Sequence, residues 1–333
     1  MIQVMVSMFF HIIGSFPGFL KLYGTSGPGK LKRMAIVAVL FRAAQWYDDP
    51  VIDFIKDRKF RECIMIRVTI WYENVQESGV LPEELRAGRS QEDAEHFSRF
   101  LEENCVRVRS QYPSGVMGTL ADYLRNEPDL EVTYVTLQMP EYGLTQDLLD
   151  RTDVLIWWSH VAQEMVPDEV AYRVVRRVQA GMGYIPLHSA HKSKPFMYLL
   201  GTTGTLKWRE GDFCRVWTAA PAHPIARGIP ESIELSEEEM YGEPFDIPKP
   251  DETVFISWFS GGEVFRSGCT WSRGYGKIFY FQPGHETSPS YHNPYILRII
   301  LNAVRWAAPE VMRENFDCPK IVESPEEKRR GGR

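Results

Sequence analysis

The stretch DVLIWWSH, residues 153–160, runs from an almost unbroken apolar segment into a polar pair. A strand with one wet face alternates apolar and polar residues, whereas a strand covered on both faces reads as one continuous apolar run. Residues 153–158 therefore read as a central strand of a parallel sheet, with Ser159-His160 in the loop at its carboxyl end. Working outward, IRVTIWY (66–72), LEVTYVTL (130–137) and YIPL (184–187) supply three further strands. Helical segments are expected near 90–109, over 113–126, from Thr145, from Pro167 to about Ala180 and over 193–200. The alternation predicts a doubly wound parallel sheet with right-handed crossovers. From 203 to 281 the pattern shifts to shorter strands between Gly and Pro turns, VFISWF (254–259), EVFRSG (263–268) and KIFYF (277–281), read as added β-hairpins. A last helix over 293–307 opens with Asn293 as N-cap and Pro294 at its first position.

The chain has 333 residues, 44% apolar and 25% charged, the balance of a globular protein rather than a disordered one. Its net charge of −6 argues against a dedicated nucleic-acid binder. Five cysteines with no CxxC pair read as reduced thiols in a cytoplasmic protein. Residues 1–20 are apolar, but Gln3, Ser7, His11 and Ser15 interrupt them, which argues against a membrane span. Met65 is the expected start of the functional unit, 65–308. Residues 1–64 are either an extension of uncertain origin or an ordinary N-terminal subdomain, and 309–333 read as a charged, solvated tail. A homo-oligomer is compatible with this organisation.

The chemistry-bearing residues cluster after strands. His160 follows strand three, His188-Ser189-Ala190-His191 follows strand four, and Gln282-Pro283-Gly284-His285-Glu286 follows the strand at 277–281. Ligands of open α/β sheets bind beyond the carboxyl ends of the strands. The three loops are therefore expected to meet at one cleft.

These segments, with GMGYIPLHSAHKSKPF, LKWREGD, AHPIARGIP, EEEMYGEPFDIP, ISWFSGGEVFRSGCTW and FYFQPGHETSPSYHNP, resemble the ThuA family of trehalose-utilisation proteins in one unbroken order over about 65–308. The resemblance implies a fold like that of class I glutamine amidotransferases, a flavodoxin-like parallel sheet flanked by helices. It also implies a role in sugar utilisation, with a substrate related to trehalose or its keto form. Amidotransferases carry a nucleophilic Cys on the sharp turn after a strand. Here that turn is His188-Ser189-Ala190, so no glutaminase activity is expected, and Cys269 reads as a small buried residue.

Three enzymatic readings follow. In the first, His188, His285 and Glu286 perform acid–base chemistry on a keto-sugar, since imidazoles exchange protons near neutral pH. Glu73, His160, Trp208, Glu239 and Tyr241 would then bind substrate. In the second, His160, His188, His191 and His285 hold Zn²⁺ or another divalent ion for hydrolysis. Relatives commonly carry His where this chain has Met117 and Gln163, so metal binding would be weakened if those positions ligate it. In the third, Ser189 is a nucleophile with His285 as base and Glu286 or another acid as orienter. A non-catalytic sugar- or partner-binding module is the remaining alternative. The expected ligand is a small sugar, and neither nucleic acid nor membrane.

Overall fold

The computed structural model describes residues 65–313 and 324–331; the expectations for residues 1–64 lie outside the described residues. Nine strands form one sheet: β1 (Ile66–Tyr72), β2 (Leu130–Thr136), β3 (Val154–Trp158), β4 (Gly183–Leu187), β5 (Lys207–Thr218), β6 (Ser232–Gly242), β7 (Glu252–Phe259), β8 (Val264–Arg273) and β9 (Gly276–Phe281). Their spatial order is β2-β1-β3-β4-β9-β8-β7-β5-β6. The first five of these are mutually parallel, and the pairings from β9 to β6 are antiparallel. The fold is thus a mixed α/β sheet. The expected parallel sheet accounts for only half of it, because the segment expected to form hairpins extends the same sheet in the antiparallel sense.

The apolar runs explain the centre. Every residue of β3 and of β4 is buried, and β1 buries all but Arg67. Arg67 leaves the core by pairing with Asp153 at 2.8 Å. Trp71 and Trp157 stack at 4.0 Å across the β1–β3 pairing. Pro186 lies within β4, where it cannot donate to a ladder. The register with β9 is held at Tyr184–Ile278 and Leu187–Phe281.

The helices are α1 (Glu83–Ala87), α2 (Gln91–Gln111), α3 (Val116–Arg125), α4 (Gln146–Arg151), α5 (Asp168–Ala180), α6 (Lys194–Leu200), α7 (Pro294–Ala307) and α8 (Pro325–Gly331). In α5, Val170, Ala171, Val174, Val175 and Val178 repeat at helical spacing and are buried. In α7, Ile296, Ile299, Ile300, Ala303, Val304 and Ala307 do the same. Helices α3 and α7 pack on each other and on β1, β2, β4 and β9, while α5 packs with α4 and α6. Residues 325–331, expected as solvated tail, are helical, and 325–330 are exposed. Among the described residues no helix is long and apolar enough to cross a membrane.

Strands β5 and β6 escaped the sequence reading. KWREGDFCRVWT and SIELSEEEMYG are rich in charge because β6 is the sheet edge and much of β5 faces solvent. Their antiparallel pairing includes register shifts between Arg209 and Cys214, which also break the alternation a reader would look for.

Asn293 caps α7 as expected, its side chain accepting from the Tyr295 and Ile296 amides at 2.9 and 3.4 Å. Asn293→Ala is predicted to cost about 1 kcal/mol. Urea unfolding should show a lower midpoint at unchanged slope, and an unchanged midpoint would contradict the capping role.

Candidate functional site

Strands β3, β4 and β9 are neighbours and run the same way, so their carboxyl ends lie side by side. Two buried carboxylates fix the loops that leave them. Glu73, just beyond β1, accepts from the Val161 and Ala162 amides at 2.8 and 2.9 Å and so shapes the His160 loop. Glu238 of β6 accepts from the Gly284 and His285 amides at 2.8 and 3.0 Å and from the Ser290 hydroxyl at 2.5 Å, shaping the His285 loop. Burial pushes the pKa of each carboxyl up, and the amide donors partly offset this. Gly284 has φ 135°, and a Cβ there would lie 2.2 Å from the Tyr291 hydroxyl oxygen, so this loop position requires glycine.

His188 stands at the turn after β4 with φ 52°, in the left-handed region that costs a residue with a Cβ. Its ring is sandwiched between Trp158, at 6.2 Å and 14°, and Tyr241, at 5.2 Å and 19°. Its Nδ1 lies 3.0 Å from the Gln282 carbonyl, which can only accept, so Nδ1 carries a proton and Nε2 faces Glu239 at 3.0 Å. Glu239 Oε2 is itself buried, and the Tyr241 hydroxyl also approaches His188 Nε2, at 3.4 Å. Burial opposes charging His188, but Glu239 overcomes it and raises the imidazole pKa. Burial likewise works against the Glu239 carboxylate, but the facing imidazoles hold its pKa down at about 2.

His160 contacts both Glu286 oxygens through Nδ1, at 2.9 and 3.1 Å. Burial pulls its pKa down, but the Glu286 charge prevails and lifts it to about 10. Glu286 is correspondingly held well below the usual carboxylate range despite its burial. His285 differs. Its Nδ1 accepts from the Thr287 amide at 3.2 Å, so the proton of the neutral ring sits on Nε2, which is buried with no hydrogen-bond partner among the described residues. Burial lowers its pKa to about 4, keeping it neutral. The three ring centroids lie 5.2–5.7 Å apart.

The expected convergence of His160, His188 and His285 is therefore present, but the three do not front solvent equally. A cleft of about 350 Å³ is lined by His160, Gln163, Ser189, Glu239, Tyr241 and Glu210, with Trp208, His191 and Lys192 also on its wall. Its apolar side is formed by His96, Phe97 and Phe100 of α2, and Phe100 meets the His160 and His285 rings edge-on at 5.6 and 6.1 Å. His188, His285 and Glu286 are buried to within 1% and lie behind this surface. Of these three residues expected to be catalytic, Glu286 pairs with His160, His188 faces Glu239, and the His285 ring lies against those of His160 and His188, while His160 and Glu239 front the cleft.

Other expectations are also corrected. Glu73 does not line the cleft, because the backbone of the His160 loop occupies both its oxygens. Ser189 Oγ is bonded to the Tyr241 hydroxyl at 2.6 Å rather than to an imidazole, so no serine triad is assembled. His191 lines the cleft but stands outside the imidazole group; its Nδ1 donates to the Gly204 carbonyl at 2.6 Å, and burial lowers its pKa to about 3. Trp208, Glu239 and Tyr241 do line the cleft, and Trp208 pairs with Tyr241 across β5 and β6. Sequence reading missed Glu210, Glu238 and the α2 aromatics. Only the LKWREGD motif pointed at the first of these.

One ligand atom each of His160, His188, His285 and Glu286 falls within 4.8 Å of the others, which would suit a divalent cation. The donor set fits only in part. His160 and His188 each engage Nδ1 elsewhere, leaving Nε2 inward, but His285 would have to move its proton from Nε2 to Nδ1 and lose the Thr287 amide bond. Gln163 holds its amide between Ser159 and Ser189, and Met117 is fully buried in α3.

Fold and site together define an α/β protein with a histidine–carboxylate cleft at the carboxyl edge of its parallel strands. The ThuA family, described as trehalose utilisation, matches residues 100–307. The chain belongs to the ThuA family. A ThuA-like protein from Parabacteroides merdae shares the fold at a TM-score of 0.51 and 15% identity, over 76% of this chain and 93% of that one. A ThuA-like protein from Bacteroides uniformis aligns at 0.43 and 16% identity, over 73% of this chain and 91% of that one. A glutamine amidotransferase from Thermotoga maritima aligns at 0.39 and 10% identity, over 72% of this chain and 96% of that one. No curated protein matches the sequence.

The His160–Glu286 pair links stability to pH. The raised His160 pKa contributes stability that is complete below about 6.5 and is lost as pH rises through about 10. The depressed Glu286 pKa contributes stability present above the ordinary carboxylate range and lost in acid. Glu286→Gln is predicted to cost about 3 kcal/mol near pH 6 and distinctly less near pH 10. Denaturant unfolding at the two pH values checks this, and an equal cost at both would contradict it.

Proposed function

We propose that the cleft carries out acid–base chemistry on a keto-sugar related to trehalose or a similar disaccharide. The observation that carries this reading is the pair of cleft-facing groups with opposite proton affinity. The His160 imidazole is backed by Glu286, and the Glu239 carboxylate, which lines the cleft, is backed by His188 at 3.0 Å. A carbonyl acidifies the adjoining C–H. Glu239 removes that proton, and His160 donates a hydrogen bond to the oxygen on which negative charge develops. His188 orients Glu239. His285, neutral between the two pairs, keeps the group from accumulating positive charge. Trp208, 57% exposed at the cleft, offers a flat face for a sugar ring.

Two further features support the reading. The sharp turn after β4 presents His188, and the buried thiols of Cys214 and Cys269 are pushed up by burial, the latter to about 12, which argues against a thiolate nucleophile. A small carbohydrate is the proposed ligand, in keeping with the family.

A divalent-metal hydrolase is the second reading, favoured by the four converging ligand atoms. Elemental analysis separates the two. The acid–base reading predicts that turnover of keto-disaccharides survives exhaustive chelation. Metal at one equivalent whose removal abolishes turnover would favour the other.

Glu239→Gln and His160→Gln are each predicted to lower kcat by about 10²–10⁴-fold while sugar binding persists. Cys269→Ser should leave turnover unchanged, and glutamine should release no ammonia. With Glu239 ionised above about 2 and His160 protonated below about 10, kcat/KM on a substrate whose leaving group needs no acid should stay level across neutral pH and fall as pH approaches about 10. A midpoint near 6.5 would contradict the His160 assignment.

A further inference from the structure

Glu210 is a third ionisable group at the cleft, and the acid–base pair does not use it. Strand β5 slips register against β6 between Arg209 and Asp212, and Gly211 there has φ 47°. Such bulges turn a side chain away from its regular direction. Arg209 clamps the flank by pairing with both Asp212 and Glu263, while Glu210 makes no ion pair among the described residues. One ligand atom each of Glu210, Glu239 and His285 lies within 4.8 Å of the others, and His285 Nε2 is buried with no hydrogen-bond partner among the described residues. Two carboxyl groups so close in one cleft cannot both ionise freely. Burial, then the charge of Glu239, raises the Glu210 pKa, while Glu239 is the one held ionised.

We propose that Glu210 is the catalytic acid that protonates the departing alcohol when a keto-glycoside is cleaved by elimination at this cleft. The inference rests on the acid–base reading above and adds the fate of the bond. Three roles are needed when a C–H next to a carbonyl is removed and an oxygen is expelled from the neighbouring carbon. These are a base, a donor to the carbonyl oxygen and an acid for the leaving oxygen. Glu239, His160 and Glu210 supply one each. The C–H proton passes to Glu239, and its electron pair forms the enolate that His160 stabilises. The enolate electrons then form the C=C bond as the C–O bond breaks toward oxygen, and the Glu210 proton completes the alcohol. Solvent reprotonates Glu210 and takes the proton from Glu239, so no oxidant or reductant is consumed. The substrate class is a glycoside with a carbonyl at the third ring carbon, which puts the acidic C–H between carbonyl and glycosidic carbon. It is unphosphorylated: two carboxyl groups face the cleft, and Lys192 is already engaged by the Thr203 carbonyl and Thr205 hydroxyl at 2.9 and 3.0 Å.

Methyl and nitrophenyl 3-oxo-glucosides test this with the full chain in D₂O. Nitrophenolate leaves without acid assistance, whereas methanol does not. Glu210→Gln should lose about 10²-fold or more on the methyl glycoside and less than about 5-fold on the nitrophenyl one, with Glu210→Asp recovering part of the loss. Glu239→Gln should fail on both. Equal losses on the two substrates, or none on either, overturn the role of Glu210. Wild-type exchange of the C–H for deuterium without alcohol release keeps the acid–base reading and overturns this inference. Neither exchange nor release overturns both.

Discussion

The site depends on two carboxylates that never reach the cleft. Glu73 and Glu238 are completely buried, and each accepts two consecutive backbone amides from a loop leaving the parallel strands. Burying such groups is costly unless donors replace water. The donors here belong to the loops that present His160 and His285. Forming the loops therefore satisfies the carboxylates, and the carboxylates hold the loops in shape. Gln76 adds a further donor to Glu73, and Ser290 one to Glu238. The imidazoles consequently sit on rigid supports, with their Nδ1 atoms held by the Glu286 carboxylate, the Gln282 carbonyl and the Thr287 amide.

That rigidity gives three chemically identical side chains different protonation states within one group. Ring distances of 5.2–5.7 Å would make three imidazolium ions repel strongly. Glu286 and Glu239 each compensate one of them, and His285, paired with neither at hydrogen-bond distance, stays neutral. Two charged pairs and one neutral ring leave the group without net charge. Burial and the paired charges thereby separate the proton affinities of His160 and Glu239.

Much of this was legible in the sequence because it rests on local patterns. The unbroken apolar run before Ser159-His160 marked a central strand, and the matching runs before His188 and His285 placed the histidines at one edge. Asn293-Pro294 announced the start of α7. The remainder depends on long-range contacts. Strand β6 enters from the far edge of the sheet, and neighbouring Glu238 and Glu239 of EEEMYGE go to different partners. Nothing in that run of three glutamates distinguishes the buried anchor from the carboxylate that lines the cleft. Nor does spacing reveal that His188 and His285 lie beneath the surface while His160 fronts it, since that follows from how Tyr241 packs on His188 and Phe100 on His285. The α2 aromatics were hidden for a related reason. Helix α2 is largely exposed, and Phe97 and Phe100 read as part of its ordinary apolar face.

The most direct test is the protonation state of each ring. Nitrogen NMR of the ¹⁵N-histidine-labelled protein at pH 7 should show His160 and His188 as imidazolium and His285 as a neutral ring protonated on Nε2, assigned by single substitutions. A protonated His285, or neutral His160 and His188 rings with bare Nε2 atoms, would contradict the account.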